Sequence, residues 1–180
     1  GSTSWQARKA KLKNRLKVMA DELINVAAKR TLQPGKRLTV DEELYEKFCT
    51  RFPYQETEDQ LNAIDEALND LAIGKPMDRL VCGDVGFGKT EIALRTAFSA
   101  VFSGGQVAIV TPTTLLARQH FNTFIERFAG YPVHIEQLSR MVTPKQANAT
   151  KLGIQTGEID IVIGTHALLS PSIHFKNLVL

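Results

Sequence analysis

Eight residues, Gly83-Asp84-Val85-Gly86-Phe87-Gly88-Lys89-Thr90, constrain the fold of this chain more than any other stretch. They fit the pattern G-x-x-x-x-G-K-[ST], which works only as a bend between a strand and a helix. Gly83, Gly86 and Gly88 permit backbone conformations that a side chain would block, so successive amides can turn inward around an anion. The helix that opens near Lys89 adds its positive end to that field. In such a bend Lys89 is a point charge for the outer phosphates of a nucleotide, and Thr90 offers its hydroxyl to Mg²⁺. Lys89 and Thr90 are therefore the candidate catalytic residues, with ATP and Mg²⁺ the implied cofactors. The neighbours agree. The apolar run Arg79–Cys82 precedes the bend, and Ile92, Ala93, Leu94, Ala97, Phe98 and Val101 form a helical stripe after it.

From residue 78 onward short apolar runs alternate with longer amphipathic ones. Strands are expected at Arg79–Cys82, Gln106–Val110, Val133–Leu138, Ile159–Ile163 and Leu178–Leu180, with helices at 89–103, 113–129 and 143–156 between them. Strands alternating with helices imply βαβ units, hence an α/β fold: a parallel sheet with helices on both faces. Ahead of this lie an acidic helix around 40–50 and a turn at Phe52-Pro53. A further helix capped by Thr57 carries Leu61, Ile64, Leu68 and Leu71 on one face.

Residues 5–31 read as one long helix. Leu12, Leu16, Met19, Leu23 and Ala27 share a stripe, and Gln33-Pro34-Gly35 ends it. Such a stripe has to dock on the following domain or on a region outside this chain. The charge is concentrated here. Residues 1–30 hold eight basic side chains against two acidic ones, while the other 150 residues hold 14 basic and 17 acidic. A chain so divided is no uniformly basic nucleic-acid coat, and the positive segment is either a solvated helix face or a surface for a partner. The expected organisation is a basic linker helix over 1–35, with Gly1-Ser2 a remnant of tag removal, followed by an α/β domain over 36–180.

Two cysteines far apart in sequence and four scattered histidines give neither a disulfide framework nor metal-ligand spacing. No apolar run reaches membrane-spanning length and no secretory leader is recognisable, so the expected compartment is the cytoplasm with no membrane partner. Asn177-Leu178-Val179-Leu180 begins a strand at the last residue, and the chain is expected to be a piece of a longer protein.

Gln60, with Phe52 nearby, adds a second site feature. An amide can donate and accept at the edge of adenine, and an aromatic ring can stack on its face. Alone this is a surface residue on a helix; upstream of a phosphate loop it becomes a candidate base contact. Four blocks in order then resemble the superfamily 2 helicase-like motors: Phe52 to Gln60 (their Q motif), Met77 to Glu91 (motif I), Pro112 to His120 (motif Ia) and Ile163 to Leu169 (motif Ib). The resemblance is greatest to the bacterial transcription-repair coupling factors, with the RecG-type branch-migrating helicases as the alternative. The latter share the Gly-Thr-His-Ala-Leu block but usually carry a small residue at the position of Phe87.

The resemblance implies a RecA-like first motor lobe, truncated before the acidic motif II that follows the strand at Leu178. Phe52, Gln60, Gly83, Asp84, Gly86, Phe87, Gly88, Lys89, Thr90 and Glu91 would then contact nucleotide. Thr113, Thr114, Gln119, Gly164, Thr165 and His166 would contact the backbone of double-stranded DNA. RNA polymerase and excision-repair proteins would be engaged by regions outside this chain. Without motif II and the arginine of a second lobe, hydrolysis by this piece is expected to be almost nil. The alternative for Pro112-Thr113-Thr114 is a plain helix start, Pro in the opening turn and Thr as cap. The first helix could likewise make the chain an interaction module.

Overall fold

The computed structural model describes residues 3–180 of the chain. The expectation for Gly1-Ser2 lies outside the described residues.

The first helix, α1 (Thr3–Leu32), runs for 30 residues, or about 45 Å at 1.5 Å per residue. The stripe that sequence periodicity assigns to packing is not packed: Leu12, Leu16 and Leu23 are all more than half exposed. The helix is joined to the rest through its C-terminal turn, where Arg30 bonds Asp78. Its own propensity and local pairs sustain it, as when Lys9 Nζ sits 5.3 Å from the Trp5 ring centre.

Two helices follow. The first, α2 (Glu42–Cys49), is capped by Asp41, whose carboxylate accepts from the Leu44 amide at 3.0 Å. The second, α3 (Glu58–Ile73), opens on Thr57 in a reciprocal box: Thr57 Oγ1 accepts from the Gln60 amide while Gln60 Oε1 accepts from the Thr57 amide at 2.9 Å. It ends at Gly74 in left-handed geometry. On its expected apolar face Ile64 and Leu71 are buried, whereas Leu61 stays exposed.

The α/β part comprises α4 (Lys89–Phe102), β1 (Val107–Val110), α5 (Thr114–Arg127), β2 (Ile135–Leu138), α6 (Pro144–Thr156), β3 (Ile161–Gly164) and a 3₁₀ turn (His166–Leu169). The sheet is parallel in the order β1-β3-β2. Alternation along β3 loads both faces. Ile161 and Ile163 enter a cluster with Phe48, Leu94, Phe98, Phe124 and Phe128, while Val162 joins Leu138, Ile154, Ile159 and Leu168 on the other side. Phe98 is the hub of the larger cluster, 4.2 Å from Phe48 and 4.3 Å from Phe102 between ring centres. This is the expected parallel sheet with helices on both faces.

Two expected strands differ. Residues 178–180 align beside β1: the Val179 amide donates to the Gln106 carbonyl at 3.0 Å, and the Ala108 amide donates to the Leu180 carbonyl at 2.9 Å. That run amounts to a parallel bridge rather than a full strand. Arg79–Cys82 forms no strand, and Leu80 is 87% exposed. Apolar composition alone does not make a strand; the backbone needs a ladder partner, and among the described residues none bonds to 79–82. Between this segment and β1 lies a cavity of about 390 Å³ lined by Met77, Val81, Lys89, Ile92, Val107 and Leu180.

Gly164 shows how tightly the sheet centre is closed: a Cβ there would sit 2.2 Å from the Leu138 carbonyl oxygen. Gly164→Ala should therefore cost about 2 kcal/mol or more of unfolding free energy, read from the urea midpoint at unchanged slope.

Candidate nucleotide and nucleic-acid site

Gly86 and Gly88 take φ of 87° and 83°, the left-handed region that glycine enters at little cost. They let the loop turn twice before α4 begins at Lys89. The lysine closes the bend on itself: Nζ donates to the Gly83 carbonyl at 2.6 Å and to the Asp84 carbonyl at 2.7 Å. A phosphate entering the loop would take over this ammonium, a charge-assisted exchange. Gln60 is placed differently from the simple base contact expected. With Oε1 engaged in the α3 cap, its Nε2 donates to the Phe87 carbonyl, so both ends of the amide are used within the protein. Gln60 therefore clamps the phosphate loop to the start of α3.

Beside the loop lies a second cavity of about 610 Å³, with Phe52, Tyr54, Gly88, Thr90, Glu91 and Arg127 in its wall. Phe52 and Tyr54 meet edge to face at 5.5 Å. An aromatic wall next to a phosphate loop fits a nucleoside.

Behind that wall is a buried ionic cluster that sequence reasoning missed. Glu91 Oε1 accepts from Arg95 Nε at 2.8 Å and from Arg127 Nη2 at 2.6 Å. Arg95 also bonds Glu56, and Arg127 Nη1 donates to the Phe48 carbonyl at 3.3 Å. The guanidinium carbons of Arg95 and Arg127 lie 5.8 and 5.9 Å from the Phe52 ring centre. Burial works against the charge on Arg95, but its bonds to Glu56 and Glu91 outweigh this and raise its pKa. Glu91, which the resemblance implies contacts nucleotide, thus anchors two cations. The i,i+4 spacing of Glu91 and Arg95 was legible in the sequence; nothing local marks Arg127.

Thr113, Thr114, Gly164, Thr165 and His166 lie at or just past the carboxyl ends of β1 and β3, where such sheets present ligands, and Gln119 follows in the second turn of α5. Thr111, not foreseen, ties the two loops together. Its amide donates to the Gly164 carbonyl at 2.8 Å, and its hydroxyl bonds the Thr113 carbonyl at 3.0 Å and the Gly164 carbonyl at 3.2 Å. Thr113 caps α5, its hydroxyl accepting from the Leu116 amide at 3.2 Å, so the helix-start reading holds whatever else Thr113 does. Thr113, Gln119 and His166 are exposed and Thr114 is half-buried, whereas Gly164 and Thr165 are buried. The exposed set is what could meet a phosphate backbone from this edge. Among the described residues no cluster of His, Cys, Asp or Glu could hold a metal.

The family model for the DEAD/DEAH box helicases matches residues 57–179. The chain belongs to the DEAD/DEAH box helicase family. It is 51% identical over 182 aligned residues to the transcription-repair-coupling factor of Rickettsia prowazekii (strain Madrid E), covering 99% of this chain and 16% of that protein. With the coupling factor of Bacillus subtilis (strain 168) it shares 48% identity over 178 residues, covering 99% of this chain and 15% of the relative. The chain thus spans about one sixth of the length of these curated relatives. Among solved structures, RecG bound to a three-way DNA junction superposes with a TM-score of 0.79 at 37% identity, over 86% of this chain and 21% of that one. A helicase described as a hypothetical ATP-dependent RNA helicase from Sulfolobus tokodaii, at TM-score 0.53 and 21% identity, shares the fold. The resemblance to coupling factors and to superfamily 2 motors read from the four blocks is borne out. Among the described residues no helix is long and apolar enough to cross a membrane.

Two outcomes test the site chemistry. The bond from Arg95 holds the Glu56 carboxyl below its ordinary value of 4.5. A group with a depressed folded pKa stabilises above its unfolded pKa and loses that contribution as pH falls through the folded value. The stability advantage of wild type over Glu56→Gln should therefore be full at pH 7 and shrink steadily below about pH 4.5, as followed by urea denaturation. Burial pushes the Cys49 thiol up, whereas Cys82 is exposed next to the loop. Iodoacetamide at neutral pH should modify Cys82 well before Cys49, as peptide mass mapping would show.

Proposed function

We propose that the chain is the opening part of the first motor lobe of an ATP-dependent double-stranded-DNA translocase, one that acts on stalled RNA polymerase in transcription-coupled repair. The observation that carries this reading is the juxtaposition of a glycine-hinged loop, closed by Lys89, with an aromatic-walled cavity that has room for a nucleoside. ATP is the nucleotide this arrangement suits, its phosphates in the loop and its base toward Phe52 and Tyr54. Thr90, opening the helix beside Lys89, is the ligand for a nucleotide-borne Mg²⁺. The near-half identity with coupling factors across 99% of the chain supports the choice of parent.

DNA is the second ligand. Thr113, Thr114, Gln119 and His166 supply hydroxyl, amide and imidazole groups at one edge of the sheet, chemistry that fits phosphate oxygens and carries no sequence code. Gly164 and Thr165 would serve that edge through their backbone conformation rather than as direct contacts. RNA polymerase and repair proteins would be bound by regions of the parent beyond this chain. In that reading 1–35 is a linker helix and 36–180 the start of the lobe.

A RecG-type branch-migrating helicase is the second reading, favoured by the superposition on junction-bound RecG. A full-length parent that displaces stalled RNA polymerase from duplex DNA supports the coupling-factor reading. One that only remodels branched junctions supports the RecG reading.

Chemistry at the loop has a direct test. Lys89→Ala should weaken binding of a fluorescent ATP analogue at least tenfold in the full-length parent and abolish its duplex-stimulated hydrolysis. The 180-residue chain should hydrolyse ATP at under about 1% of the parent's rate, because positioning without an opposing arginine leaves the transferring phosphoryl group unstabilised. Parent-like turnover by the short chain would remove the single-lobe account.

A further inference from the structure

The proposed DNA edge and the proposed nucleotide cavity sit at opposite ends of one helix. α5 begins at Thr114, capped by Thr113, and ends at Arg127, a span of about 20 Å at 1.5 Å per residue. Its first turn belongs to the strand-end cluster organised by Thr111. Its last turn reaches the residue next to Thr90, because Arg127 Nη2 bonds Glu91 Oε1 at 2.6 Å. The same guanidinium holds the Phe48 carbonyl and lies over the rings of Phe48, at 4.6 Å, and Phe52. One side chain therefore touches the helix that starts at the phosphate loop, the aromatic wall of the nucleoside cavity and the end of α2.

Arg127 is also under-satisfied. It is 9% exposed, and its Nε is buried with no hydrogen-bond partner among the described residues. Glu91 offers both cations the same oxygen, Oε1. A buried guanidinium paired to Glu91 cannot shift without carrying Glu91 with it, because a buried charge left without its partner is strongly disfavoured.

We propose that Arg127, acting through Glu91 and Phe52, is a positioning residue that links occupancy of the DNA edge to occupancy of the nucleotide cavity, with α5 as the rigid connector. The inference rests on the nucleotide and DNA sites proposed above. A small axial shift of α5 on binding a phosphate backbone at Thr113 and Thr114 moves Arg127 against Glu91, and so moves the first turn of α4 that carries Lys89 and Thr90. Linkage is reciprocal, so nucleotide must tighten DNA by the same factor that DNA tightens nucleotide.

The test uses the full-length protein carrying this segment. Affinity for a labelled non-hydrolysable ATP analogue is measured with and without saturating duplex DNA, for wild type, Arg127→Lys, Arg127→Met and Glu91→Gln. Duplex should tighten nucleotide about fivefold or more in wild type, within the usual range of such coupling. In each variant the factor should fall below about twofold. DNA affinity without nucleotide should stay within about twofold of wild type, a split that general loss of structure would not produce. Arg127→Met combined with Glu91→Gln should lose no more than either alone. A folded variant with undiminished linkage overturns the proposal, as does a wild type that binds both ligands independently. A wild type that binds no nucleotide at all instead sinks the functional reading beneath it. Hydrogen exchange on wild type decides the matter even where variants misfold. Duplex alone should alter exchange at 125–129 and 88–92 as well as at 113–117; a change confined to 113–117 would refute the connector.

Discussion

A single carboxylate oxygen organises this protein's candidate site. Glu91 Oε1, almost out of reach of water, receives Arg95 from its own helix and Arg127 from α5. Two buried guanidinium groups are costly to desolvate, and removing the partner of a buried charge typically costs about 3–5 kcal/mol. With Glu56 completing the set the charges balance, two against two. The consequence is geometric. The helix carrying Lys89 and Thr90, the aromatic wall at Phe52 and the far end of α5 are fixed relative to one another by bonds that have few alternatives in a dry interior.

Around this ionic centre the fold is held by ordinary apolar packing. Phe98 stacks with Phe48 and Phe102, and the two faces of β3 distribute isoleucine and valine between separate clusters. The division of labour is clear. Apolar burial supplies the bulk of the stability without specifying direction, and the ionic and capping contacts specify which helix end faces which loop. Thr111 does the same at the strand ends, joining two loops that are over fifty residues apart in the chain.

Much of this was readable in the residues. The phosphate loop follows from glycines at three positions and a Lys-Thr pair, since few other structures need that pattern. Helix starts at Thr57 and Thr113 follow from local capping chemistry and appear as expected, the first as a reciprocal box. What eluded the sequence was long-range. Arg127 looks like any helix-terminal cation, and only the fold brings it to Glu91. Arg79–Cys82 has the composition of a strand, but composition says nothing of whether a neighbour exists to complete its hydrogen bonds. The stripe on α1 has the periodicity of a packed face and yet lies open, because periodicity encodes the capacity to pack and not the partner. Gln60, a candidate contact at a base edge, has its two amide ends engaged by the capping box and by the Phe87 carbonyl, and only the first of these bonds is local in sequence.

The unpaired run at 79–82 bears on how tightly the seat can grip. One shoulder of the phosphate loop is bolted to α4, while the other has no ladder partner among the described residues and is tied down through Arg79, which pairs with Glu66 and Asp70 of α3. A ligand that needs both shoulders in one arrangement binds with an observed affinity scaled by the fraction of molecules already in it. Anything that stitches 79–82 onto the sheet would sharpen the grip from behind, without adding one contact to the nucleotide.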